Sequence, residues 1–99
     1  MTRFRVYPNL EENGYLIDVQ ADVLNHLNTR LVIPLLPLDR APKPAQTLNP
    51  LFEINGEMHS MVTQYMAAIP ARALKGVVMS GESRRDDIVA AIDLLLQGF

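Results

Sequence analysis

The chain has 99 residues, of which 48% are hydrophobic and 20% charged, with a formal net charge of −2 and no cysteine. That length supports one domain spanning residues 1–99, because a second core would have too little chain to bury. Disulfides and thiolate metal sites are excluded outright. The apolar content is high for a small monomer and predicts a homodimer, since two-fold dimers are the commonest closed assemblies.

Arg3-Phe4-Arg5-Val6-Tyr7 alternates polar and apolar residues, the pattern of a half-buried strand. Arg3 and Arg5 lie inside that alternation and Pro8 follows, with no apolar run of the kind a secretory leader needs; this predicts a cytoplasmic protein. Glu12-Asn13-Gly14 carries turn chemistry, and Tyr15, Ile17 and Val19 then share one face of a second strand. The two runs predict an antiparallel hairpin with a loose loop near residues 9–14.

Leu31 to Leu36 has the composition of a buried strand, but Pro34 and Pro37 cannot donate to a ladder. They predict an edge, a bulge or a bend. The apolar run from Leu31 to Leu38 is also far short of the ~20 residues that span a bilayer. Asp39 to Pro50, with Pro42, Pro44 and Pro50, reads as an irregular loop with one short helical turn.

Asn55-Gly56 fits a two-residue type I′ turn, so Leu51–Ile54 and Glu57–Val62 are expected to pair. Met58 to Ile69 fits helical spacing as well, but the turn favours strands, with an end at Ile69-Pro70. In the last segment Ser83 is the expected N-cap, with Asp86 three residues on in capping-box spacing. Ile88, Ala91, Ile92 and Leu95 recur on one face of a helix, and Gly98 stops it. The expected fold is mainly β: an SH3-like antiparallel barrel or sheet with one C-terminal α-helix.

Catalytic chemistry finds little support. His26 is expected in a loop and His59 on a strand, without metal-ligand spacing. Ser60 adjoins His59, but neighbours on a strand point to opposite faces and cannot act together. No glycine-rich phosphate loop, GxSxG or HExxH occurs. The nine cations are scattered, and the one pair, Arg84-Arg85, is flanked by Glu82, Asp86 and Asp87, unlike the basic stripe of a nucleic-acid binder. The expectation is a binding protein without metal or cofactor.

The helix is the expected working element. Ile88, Ile92 and Leu95 form a packing face, while Val89, Leu94 and Leu96 lie around the rest of the cylinder and call for a partner. Phe99 ends the chain, and its carboxylate keeps this aromatic at the surface, as in a binding hot spot.

Phe4-Arg5-Val6-Tyr7, Ile17-Asp18-Val19-Gln20-Ala21-Asp22, Arg30-Leu31-Val32-Ile33-Pro34-Leu35 and Met66-Ala67-Ala68-Ile69-Pro70, in that order and spacing, resemble the CcdB toxins of type II toxin–antitoxin modules. Asp87-Ile88 through Ala91-Ile92, with Gly98 and a bulky apolar terminus, matches too. The resemblance implies a homodimeric SH3-like barrel that performs no chemistry. It implies binding to the A subunit of DNA gyrase and trapping of the enzyme on cleaved DNA. It further implies a CcdA-like antitoxin whose disordered segment removes the toxin from gyrase and co-represses the operon, so that DNA is reached only through the antitoxin.

Carried over residue by residue, the gyrase-binding set is Val23, Leu24, Asp93, Leu96, Gln97, Gly98 and Phe99. Gln97 stands where the best-known member has tryptophan, and the loop from Asp39 to Pro50 also departs from the family pattern. The nearest rival is an endoribonuclease toxin of the MazF/Kid type on the same barrel, which requires a basic groove that the scattered cations do not predict. A third reading is a degenerate relative that binds antitoxin alone.

Overall fold

The computed structural model describes residues 2–99. Seven strands form one antiparallel sheet: β1 Arg5–Pro8, β2 Tyr15–Asp18, β3 Thr29–Pro37, β4 Leu51–Ile54, β5 Glu57–Met61, β6 Ala67–Pro70 and β7 Met79–Ser80. Helix α1, Arg85–Gln97, follows them. The order is β4-β5-β3-β2-β1-β7, with β6 also paired to β3, and the sheet curls into a half-barrel. The expected mainly-β class with one C-terminal helix is what the chain adopts.

The long strand β3 explains the curl. Thr29 to Val32 pair with β6, whereas Leu35 to Pro37 pair with β5. Pro34 falls in the gap between these two partners. On its other side β3 pairs with β2 from Val32 to Leu35, and the Val19 amide donates to the Leu31 carbonyl at 2.9 Å. Antiparallel ladders alternate, so odd-numbered residues of β3 bond to β2 and Pro34 faces the other side. There its carbonyl accepts from the Val62 amide at 2.9 Å, and the Val62 carbonyl bonds the Tyr65 amide in place of the N–H that proline lacks. The prolines therefore do not put this strand at an edge. β3 is central, and Pro34 marks where its second neighbour changes.

Both hairpins have the expected geometry. Val6 pairs with Ile17 and Pro8 with Tyr15 across the first. In the second, Asn55 (φ 53°) and Gly56 (φ 81°) both take positive φ, as a type I′ turn demands. After β5 the chain makes a 3-10 turn at Thr63–Tyr65 before β6, so Met58 to Ile69 is strand, turn and strand rather than helix. The stretch 39–50 contains turns but no helix. The two-residue strand β7, too short to leave a period, is the one strand without a sequence signal.

Alternation along the strands divides the apolar residues between two faces. Phe4, Val6, Ile17, Ile33, Leu35, Phe52, Ile54 and Met61 form the main core with Ile88 and Ala91 of α1. Tyr7, Val32 and Leu74, with Leu16 and Ile69, form a smaller cluster on the opposite face. Ile88 has no solvent exposure, and burying such a side chain stabilises the fold by about 1.5–3 kcal/mol.

The helix start differs from expectation. Ser83 lies inside a 3-10 turn, Glu82–Arg84, and α1 begins after Arg84, which makes no side-chain cap bond. Ser80 accepts from the Glu82 amide at 3.1 Å, a local bond leading into that 3-10 turn. Arg84 anchors the helix start instead. Its Nη1 donates to the Leu51 carbonyl at 2.8 Å, its Nε lies 3.0 Å from Asp87, and its guanidinium covers the Phe52 ring at 4.4 Å.

Candidate functional site

The far end of α1 runs out beyond the core. Ile88 and Ala91 are buried and Val89 and Ile92 half-buried, but Leu95 is 38% exposed. Leu95 was expected on the packing face, but it does not join the core that Ile88, Val89, Ala91 and Ile92 share. Leu96 and Phe99 are 69% and 84% exposed. Gly98 adopts the left-handed conformation (φ 81°), and its amide bonds the Leu94 carbonyl at 2.9 Å. Glycine takes this conformation without steric penalty, so the helix ends sharply and Phe99 stands clear of it.

Asp93 and Gln97 are one helical turn apart and linked, with Gln97 Nε2 donating to Asp93 Oδ1 at 3.4 Å. Asp93, Leu96, Gln97, Gly98 and Phe99 are thus gathered on a single turn and its exit. Val23 and Leu24 belong to another element, a 3-10 turn at Asp22–Leu24 between β2 and β3, where they are 81% and 40% exposed.

Polar contacts fasten that second element to the sheet. Asp18 and Arg30 are buried on the face opposite the main core, their charged groups 2.8 Å apart. Nη1 of Arg30 donates to Asn25 Oδ1 at 2.6 Å, and the Gln20 amide donates to Asp18 Oδ1 at 3.1 Å. The Gln20 side chain donates to the Leu24 carbonyl at 3.1 Å and accepts from the Leu31 amide at 3.0 Å. From the other side, the Arg3 amide donates to Asp22 Oδ1 at 2.8 Å.

Sequence patterning missed two features here. Asp18 and Arg30 look like surface positions on alternating strands, because their burial depends on each meeting the other across β2 and β3. Tyr65, read as a strand residue, is 52% exposed on the 3-10 turn that packs against α1, and it adds an aromatic to the apolar surface beside the helix.

Of the polar residues weighed for catalysis, His59 and Ser60 are sequestered. His59 is buried, with Nδ1 donating to the Glu57 carbonyl at 2.9 Å and its ring edge-on to Tyr15. Ser60 is buried as well, and its hydroxyl has no partner among the described residues. His26 is exposed in the loop before β3. Among the described residues no group of three or more His, Asp or Glu could hold a metal ion. Nor is any helix among them long and apolar enough to cross a membrane.

The curled sheet thus carries exposed apolar side chains on the helix end (Leu96, Phe99) and on the tethered loop (Val23, Leu24), with Leu10 exposed in the first hairpin loop as well. A sequence-family model described as CcdB protein matches residues 3–98, and the chain belongs to that family. It is accordingly a toxin of a toxin–antitoxin system.

Proposed function

We propose that this toxin binds the A subunit of DNA gyrase through the end of α1 and traps the gyrase–DNA cleavage complex. It acts in the cytoplasm as a homodimer and performs no chemistry of its own. A CcdA-like antitoxin neutralises it, and the two co-repress their operon, the antitoxin contacting DNA. The contact set is Asp93, Leu96, Gln97, Gly98 and Phe99, joined by Val23 and Leu24. The observation that carries this reading is the exposure of Leu96 and Phe99 on either side of a helix-ending glycine. Apolar and aromatic side chains on a rigid support bind at little entropic cost.

Deleting residues 97–99 tests it. The truncated protein should lose gyrase A capture and inhibition of supercoiling while keeping antitoxin affinity nearly intact. Continued killing by the truncated form sinks the assignment of the tail. Capture of antitoxin but not gyrase by the full chain would support the degenerate reading instead. Saturable RNA cleavage would point to the nuclease.

A further inference from the structure

The Asp18–Arg30 pair has no obvious stabilising purpose. Removing two charges from water costs several kcal/mol per ion, and buried pairs often add nothing over well-packed apolar residues. What distinguishes this pair is where its remaining bonds go. Asp18 spends its second oxygen on the Gln20 amide, and Arg30 spends Nη1 on Asn25, while Nη2, 2.8 Å from Asp18, comes within 3.5 Å of the Gln20 carbonyl. Gln20 then holds the Leu24 carbonyl. Every branch leads to the segment that carries Val23 and Leu24.

We propose that Asn25 and Gln20, held by the Asp18–Arg30 pair, are positioning residues that keep the 20–25 segment in its docking conformation. This rests on the gyrase reading above and adds to it the device that presents the second contact element. The segment has no fully buried apolar anchor: its 3-10 turn contains no buried residue. Besides the polar tether, the segment is held by the turn's own backbone bonds and by the Arg3 amide's bond to Asp22, with no apolar packing beneath it. A loop competent only part of the time lowers apparent affinity by its competent fraction. That loss falls on association, because the complex, once formed, has all its contacts. Loss of a contacting side chain acts mainly on dissociation.

The test compares full-length variants against purified gyrase A subunit in a surface binding assay, with amide exchange of the free toxin alongside. Asn25→Ala and Gln20→Ala should slow association about tenfold with dissociation unchanged, if about one loop in ten remains competent. Val23→Ser should speed dissociation instead. Asn25→Asp keeps the acceptor for Arg30 and should restore the association rate. Amides of residues 21–28 should exchange about tenfold faster in Asn25→Ala, with strands β1 to β3 unchanged.

An Asn25→Ala variant that associates at the wild-type rate, while Val23→Ser weakens binding, overturns the positioning role. So does unchanged exchange of the loop in Asn25→Ala, whatever gyrase does. Failure of the wild-type chain to bind gyrase A would sink the functional reading. Accelerated loop exchange in Asn25→Ala would in that case still support the tether.

Discussion

Arg30 and Asp18 face each other across β3 and β2 with their charged groups 2.8 Å apart and almost no solvent contact on either side chain. Such a pair is costly to break rather than profitable to hold. Arg30→Ala leaves the Asp18 carboxylate buried without its cation, and Asp18→Ala does the converse. Each should lower unfolding free energy by about 3–5 kcal/mol, a large share of what a domain this size possesses. Urea denaturation of both variants checks this. Values under about 1 kcal/mol would mean that water reaches the pair in solution.

Gln97 occupies an exposed position one residue before the helix-ending glycine, and its side-chain bond among the described residues is the long one to Asp93. A 3.4 Å bond in water contributes little. Gln97→Trp should therefore fold normally and present a second aromatic beside Phe99. If the end of α1 is the gyrase contact, affinity should rise about tenfold or more, within the energy an aromatic hot spot supplies. Titration of gyrase A with both proteins reads this directly. Unchanged affinity would place residue 97 outside the interface.

Two glycines should respond differently to the same substitution. A Cβ on Gly14, already at φ 120°, would sit 2.5 Å from the Leu35 carbonyl oxygen, so the first hairpin could not close on β3 without shifting backbone. Gly14→Ala should cost about 3 kcal/mol or more, combining backbone strain with overpacking. A Cβ on Gly98 meets nothing within 4 Å, and only the left-handed backbone (φ 81°) opposes it. Gly98→Ala should cost about 1 kcal/mol, expressed as fraying of the last turn. Thermal melts of the two variants separate the cases. The more telling measurement for Gly98→Ala is gyrase binding, because Phe99 leaves the helix in a different direction.

Local chemistry announced itself in the sequence, and relations between distant residues did not. The Asn55-Gly56 turn, the first hairpin and the glycine stop at the end of α1 each depend on neighbours within a few residues, and each formed as expected. Of the edge, bulge or bend that the prolines suggested, the edge fell, because a proline's place in a sheet depends on which strand lies opposite, and β3 changes partners there. Leu95 was misjudged because helical periodicity says which side of α1 faces inward but not how far along α1 the core runs. The exposure of Leu96 and Phe99 followed from the helix pattern and the rest of the proposed contact set from family likeness, whereas the tether beneath Val23 and Leu24 needed the fold to bring Asp18 and Arg30 together.

Tyr7 supplies a pH-dependent test of the second face of the sheet. It is buried beside Val32 and Leu74, and its phenol is pushed above the usual tyrosine range, first by burial and then by the nearby Asp18 charge. Arg5 and Arg30 oppose that shift without cancelling it. A pKa raised by folding means that the folded chain holds its proton more tightly than the unfolded chain. The corresponding stability is full below the unfolded value of about 10 and is lost as pH climbs from there through the folded value. Unfolding free energy should accordingly be insensitive to Tyr7 at neutral pH and fall above about pH 10. Tyr7→Phe removes the ionisable group and keeps the ring, so its stability should decline less steeply over the same alkaline range. Parallel denaturant titrations at neutral and alkaline pH read the difference. Equal slopes for the two proteins would show that Tyr7 ionises as freely in the folded chain as in the unfolded one.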